Sequence, residues 1–171
     1  PAVTIALAAT GKFSSSLVPT YILAQLSGAI TGAVLIWLAY FKHFSATDNS
    51  ELKKAVFCTA PSIRSLLHNM LTEAIGTFVL MFGALAITPS VSSLGTLDAL
   101  PVALLVLGIG LSLGGPTGYA INPARDLGPR IAHFILPIPG KRDSDWGYSW
   151  VPVIGPIIGA TSAAFLFSLL Q

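Results

Sequence analysis

Residues 21–41 run the length of a membrane crossing without one charged side chain, and no other feature restricts the fold as much. A spanning α-helix needs about 20 mostly apolar residues. Two further stretches meet that length: 69–88, with Glu73 as its single charge, and 148–170, with none. The last opens on Tyr148 and Trp150, side chains of the kind that anchor at a membrane–water interface. Residues 99–113 are apolar but short for a crossing. They run into Gly114, Gly115, Pro116 and Gly118, where regular helix is disfavoured. These residues are expected to form a fourth span that emerges into a non-helical loop.

Charge supports the same fold class. Only 9% of the 171 residues are charged, against about 25% in soluble domains, so the apolar excess must face lipid. The chain therefore reads as an all-α integral membrane protein. Net charge is +2 with no basic run, which argues against nucleic acid as a partner. Cys58 is the single cysteine, a thiol expected in a loop or at a helix margin, and it offers neither a disulfide nor a metal-ligand pattern. His43 and His68 fall at span ends, His133 lies apart, and no cluster has metal spacing. No nucleophile–base pair is visible either, so neither an enzyme nor a cofactor is expected. The chain opens at Pro1 without a Met, a basic n-region or a cleavage pattern, so no signal peptide is expected.

Two segments are too short to cross alone: 1–9, an apolar run, and 122–134, which holds both charged and apolar residues. The second begins Asn122-Pro123, a favoured N-cap followed by a residue preorganised for the first helical position. The segments share Pro1-Ala2-Val3 and Pro123-Ala124-Arg125, and each is followed by a span with matched small residues. Those spans read Gln25-Leu26-Ser27-Gly28-Ala29 and Pro156-Ile157-Ile158-Gly159-Ala160. Gly28 with Gly32, and Gly155 with Gly159, are small residues four apart that let helices pack closely in lipid. Two spans precede the second short helix and one follows it. An odd number of crossings per copy inverts one copy relative to the other, the inverted-repeat plan of many membrane carriers and channels. The chain 1–171 thus reads as a single channel domain, with 1–43 a truncated first repeat and 69–171 a complete second one. A complete first copy would place two more spans ahead of Pro1. The stretches 43–68, 89–98 and 137–147 connect the elements.

Asn122-Pro123-Ala124-Arg125-Asp126, after a glycine-rich loop, resembles the second Asn-Pro-Ala box of the aquaporin superfamily in its glycerol-facilitator form. Pro1-Ala2-Val3-Thr4 resembles the first box without its Asn. The resemblance covers essentially the whole chain. It implies six spans and two half-helices in an intact protein, in a multi-pass homotetramer of the cell membrane with one pore per subunit. Of these, four spans and both half-helices are present here.

Roles for individual residues follow from that resemblance. The carbonyls of Gly118, Tyr119 and Ala120 would form an acceptor ladder along the pore; non-helical backbone at membrane depth is tolerated where it lines a wet cavity. Asn122 would donate from its side chain to a passing hydroxyl. In aquaporin-type pores, half-helix dipoles and an arginine form the barrier to protons and cations. Arg125 would be that arginine, in a narrow filter with Gly110 and Tyr119. An ionisable residue inside a membrane is by default functional, whereas a surface Arg125 paired with Asp126 is the plain alternative. Gly110 stands where water-selective relatives place a bulky His, and Tyr119 where glycerol facilitators commonly have Phe. Asp126, Arg130 and Pro152-Val153 also fit the glycerol branch, and Asp126 is expected, with Glu73, to give structural support. Glu73 resembles the buried Glu that holds the first half-helix and its loop by hydrogen bonds.

Glycerol and other small uncharged solutes, together with water, are therefore the expected partners. The sequence does not rank glycerol against urea, dihydroxyacetone or undissociated lactic acid. A water-selective pore is the alternative within the class, and a secondary transporter the alternative outside it, since broken helices also build carrier sites. Lys53, Lys54 and Arg64 would make the loop 43–68 cytoplasmic by charge counting. The family topology places it outside, and the repeat favours that assignment.

Overall fold

The computed structural model describes residues 1–87 and 95–171, and all regular structure among them is helical. In chain order the helices are α1 (Ala2–Ala9), α2 (Val18–Ala39), α3 (Phe41–Ala46), α4 (Ser50–Ala55), α5 (Leu66–Ile87), α6 (Leu100–Thr117), α7 (Pro123–Ile135) and α8 (Val151–Leu169). A 3₁₀ turn, Ser15–Leu17, leads into α2. Four helices are long and apolar enough to cross a bilayer: Ser15–Ala39, α5, α6 and α8. Their starts share a device. Pro19, Pro101 and Pro152 stand in the first turn of α2, α6 and α8, where a missing N–H leaves no bond unmade. Thr88, at the expected end of its span, and 89–94 of the expected loop lie outside the described residues.

One span boundary differs from expectation. Helix α6 does not open into a loop at Gly114; it continues through Gly115 and Pro116 to Thr117 and ends at Gly118, φ 74°. The carbonyls of that last turn find partners outside the helix. Ser62 donates from its N–H to Pro116 O at 3.1 Å and from its hydroxyl to Gly115 O. With those carbonyls satisfied, the helical turn is retained despite its composition.

Helices α5 and α8 make the closest crossing. A Cβ on Gly155 would stand 2.8 Å from Met70 O, and one on Gly159 would overlap the Ala74 carbonyl. This is the small-residue contact expected of that pair. The matching pair on α2 behaves otherwise, since nothing lies within 4 Å of a Cβ on Gly28 or Gly32. Where α2 does meet α7, the small residue is supplied by α7: a Cβ on Gly128 would lie 2.5 Å from that of Ala29.

The connecting stretch 43–68 is more ordered than its composition suggests. It carries the end of α3 and all of α4, which Asn49 caps by accepting from Glu51 N and Leu52 N at 2.9 and 3.2 Å. Phe44, Phe57 and Cys58 then pack with Ala33, Ala132, Leu136 and Ile138. Cys58 is a buried loop thiol, and burial pushes it up to about 11. Lys53 and Lys54, two of the cations used in the charge count, are engaged within the fold: Lys53 donates to Pro139 O, and Lys54 pairs with Glu51 at 3.2 Å. Tyr148 is a second correction. It is fully buried rather than at a lipid interface, with the Arg64 guanidinium 5.7 Å from its ring centroid. Trp150 does face outward.

Candidate functional site: a cavity bordered by two helix starts

A cavity of about 370 Å³ lies where α1 and α7 begin. Pro1, Ala2, Val3 and Thr4 line one side and Tyr119, Ala120, Ile121, Asn122 and Arg125 the other, with Gln25, Leu80 and Val106 completing the wall. Both helices therefore present N-terminal partial positive charge, about +0.5 each, to the same space.

The start of α7 is fixed by Asn122. Its backbone is extended, and its Oδ1 accepts from Ala124 N at 3.0 Å and Arg125 N at 3.4 Å. The cap uses the side-chain carbonyl and leaves the amide N–H₂, with two donors, for the cavity. Pro123 occupies the first helical position and Ala124 is buried behind it.

Upstream, the chain from Gly118 to Ile121 is held in an unusual shape. Gly118, Tyr119 and Ile121 all take left-handed φ, at 74°, 37° and 43°. For Ile, branched at Cβ, that conformation is strained and must be imposed by its surroundings. Glu73 imposes it. Buried in α5, its carboxylate accepts from Ala120 N at 3.0 Å and from Ile121 N at 2.6 Å. In planar trans peptides the C=O points opposite to the N–H, so the Tyr119 and Ala120 carbonyls turn away from Glu73, to the cavity side. This corrects the expected role of Glu73, which braces the loop before the second short helix and not the first. Glu73 lies on the span that opens the second copy, and it serves the loop of that same copy. Gly118 is not in the cavity wall. A Cβ there would face Thr59 and Ala60.

Gly110, Tyr119 and Arg125 are brought together. The Tyr119 ring lies along α6, with Cδ1 3.2 Å from where a Cβ on Gly114 would be and Cζ 3.2 Å from one on Gly110. The ring thus fills the room that a side chain at 110 would take. The Arg125 guanidinium sits 5.8 Å from the ring centroid, within cation–π range. It is exposed and makes no ion pair among the described residues. The alternative of an Arg125–Asp126 surface pair is ruled out by what Asp126 does instead.

Asp126 and Arg130, one turn apart on α7, are both fully buried and form a closed network. Arg130 Nε and Nη2 donate to the two carboxylate oxygens at 2.8 and 2.7 Å. Its other donors reach Thr59 O at 2.9 Å, Ser144 O at 2.5 Å and Asp145 O at 3.1 Å. All five guanidinium N–H groups are matched. Asp126 Oδ1 also accepts from Thr59 N and Oγ1. The network ties α7 to the chain on both sides of it. Asp145, held by the two Arg64 bonds at 2.8 and 3.0 Å, has its carboxyl below the usual carboxylate range because that arginine stabilises the charged form. At its other end α7 is capped by Lys141, which donates to the carbonyls of His133, Phe134 and Leu136.

Asp126 has the supporting role expected of it, and its pairing with Arg130 is what sequence reasoning does not reach. Its signal was a carboxylate and a guanidinium four apart on the one amphipathic short helix. Gln25 was missed too. Its Nε2 donates to Thr4 Oγ1 at 3.0 Å, joining α2 to α1, and its only sequence mark is an amide inside an apolar span.

Comparison with known proteins accords with this geometry. Residues 1–167 match the Major intrinsic protein family. The chain belongs to that family. It is therefore a multi-pass membrane protein of a channel family, and among the described residues its fold is all-helical, built from apolar spans and shorter helices. It is 59% identical over 170 residues to a probable glycerol uptake facilitator protein of Thermotoga maritima, covering 99% of this chain and 72% of that one. It is 55% identical over 168 residues to a glycerol uptake facilitator protein of Bacillus subtilis, covering 98% of this chain and 61% of the relative. Among solved structures, the aquaglyceroporin from Plasmodium falciparum superposes with a TM-score of 0.83 at 31% identity, over 97% of this chain and 69% of that one. The chain thus spans between 61% and 72% of the length of these proteins.

Proposed function

We propose that this chain forms the greater part of a passive channel for glycerol and other small uncharged solutes, which also passes water and excludes ions and protons. The observation that carries the reading is the Glu73-held loop, whose residues Tyr119, Ala120 and Ile121 line the cavity together with Asn122 and the unpaired Arg125 guanidinium. A solute hydroxyl can donate to the carbonyls and accept from Asn122 and Arg125. Cations meet Arg125 and the positive ends of α1 and α7. Tyr119 supplies an aromatic wall for the CH face of a polyol, and Gly110 gives that ring its seat. The names of the relatives support glycerol as the solute.

In this reading, 1–43 belongs to a first repeat and 69–171 forms a second, inverted one. The working protein is a homotetramer in the cell membrane with a pore in each subunit. Flux follows the solute gradient with no bound cofactor and no chemical step.

Stopped-flow light scattering on proteoliposomes tests this directly, by comparing shrinkage in sucrose with re-swelling in glycerol. Rapid, non-saturating re-swelling that Tyr119→Trp abolishes is the expected result. Rapid shrinkage without glycerol flow above empty liposomes would leave a water channel. Saturable flux that follows an ion gradient would leave a carrier. Glu73→Ala is expected to lower glycerol and water flow together by an order of magnitude or more, because it releases the loop that aims the carbonyls.

A further inference from the structure

The stretch 43–68 carries three fixed cations, and two of them are neutralised: Lys54 by Glu51 and Arg64 by Asp145. Lys53 is not. It is only 5% exposed, and among the described residues it forms no ion pair. Nearby Glu51 is already taken up by Lys54 and Arg142. The Lys53 ammonium has three donors, and one of them is used, on Pro139 O. A buried cation without an anion is costly unless a partner supplies the missing charge.

Lys53 also lines a cavity of about 240 Å³ at the end of α2. Ile36 from the last turn of α2, Phe44 from α3, and Leu52 and Val56 from α4 and its end give it apolar walls. Tyr40 and His43 add hydrogen-bonding groups, and no carboxylate is in the lining. Ile36, Leu52 and Val56 are also exposed on their outer sides, as are Leu38 and Phe41 beside them. The cavity is thus continuous with the apolar surface that α2 turns to lipid. The chain leaves that span at Tyr40, so the cavity sits where hydrocarbon gives way to headgroups, a depth that favours tyrosine.

We propose that this cavity binds an anionic phospholipid of the surrounding bilayer, with the upper part of one acyl chain between the apolar walls and the phosphate at the Lys53 ammonium. The site is independent of what the pore conducts. Basic pockets beside membrane spans suit anionic headgroups, and a lysine stem lies readily along apolar surface with its charge at the far end. A zwitterionic headgroup brings its own cation and gains less from Lys53. The effect of the lipid reaches α7. Lys53 holds Pro139, just past the end of that helix, and Phe44 packs in one cluster with Phe57, Ala132 and Leu136. A lipid bound there stabilises the seat of α7, as any ligand of the folded state does.

The test is native mass spectrometry of the protein released from micelles holding equal amounts of phosphatidylglycerol and phosphatidylcholine with identical chains. One lipid per chain should survive the activation that strips the rest. Phosphatidylglycerol is expected there about tenfold over phosphatidylcholine, the scale of one charge-assisted hydrogen bond. Lys53→Met should bring that ratio to about one and abolish the rise in melting temperature that added phosphatidylglycerol gives the unaltered protein. Val56→Trp fills the cavity from an exposed position without touching the charge, and should remove the retained lipid whatever its headgroup. It decides the matter alone where Lys53→Met does not fold. Equal retention of the two lipids by the unaltered protein, or a preference unchanged in Val56→Trp, would overturn the proposal. So would loss of the oligomer in Val56→Trp without any lipid preference, which would mean that a second copy of the chain covers the cavity.

Discussion

Helices α1 and α7 border the same cavity with the same end, yet they are held there by opposite means. Helix α1 is almost wholly apolar. Ala2 and Ala6 pack against Met81, Ala160, Ala163 and Ala164, and among the described residues one side-chain bond, from Gln25 to Thr4, ties it to α2. Helix α7 is amphipathic and buries Asp126, Arg130 and His133; it is capped by Asn122 and carries a charge network that reaches residues 59, 144 and 145. A helix can be seated in a membrane protein by methyl groups filling a groove, or by ions satisfied on every side. The first way tolerates loss of a polar contact but not added volume. The second tolerates neither loss nor exchange of its charged members.

That difference can be broken experimentally, and the largest effect belongs to α7. Arg130→Met leaves Asp126 buried without its partner, and the expected loss is about 3–5 kcal/mol, visible as a collapse of the thermal transition in detergent. Next comes the α5–α8 crossing. Gly159→Ala places a methyl on the Ala74 carbonyl, and about 1–3 kcal/mol should be lost in the same melt. Thr4→Val keeps the shape of α1 and removes its one polar tie; about 1 kcal/mol is expected, with a smaller change in flux than any change at Glu73. An effect on the scale of Arg130→Met would erase the contrast between the two helices. Smallest is the Arg64–Asp145 pair at the surface. The Asp145 carboxyl titrates below its usual value, so the contribution of the pair is full above the ordinary carboxylate range and is lost as pH falls through the depressed value. An acid shift of the melting midpoint that shrinks in Arg64→Gln checks the sign.

The spans were legible because lipid leaves little choice: 21–41, 69–88 and 148–170 all coincide, within a few residues, with helices. Asn122-Pro123 was legible as a helix start because capping is local chemistry. Less could be seen where a partner far along the chain decides the outcome. Gly115 and Pro116 stay helical because Ser62 takes up their carbonyls, and nothing within residues 99–118 reveals that. The burial of Glu73 was expected, but which loop it holds depends on how α5 lies against the second copy. Gly28 and Gly32 look like Gly155 and Gly159 in sequence, but spacing alone does not say which face of a helix meets a neighbour. Asp126 is legible as a structural support, whereas its pairing with Arg130 and the reach of that pair to residues 59, 144 and 145 are not.

The carbonyls aimed at the cavity belong to the main chain, and their direction is set by a carboxylate on another helix. Every amino acid brings the same carbonyl. Evolution can therefore vary the side chain at 119 or 120 to retune which solutes pass, while the acceptors themselves are inherited unchanged, provided Glu73 stays where it is.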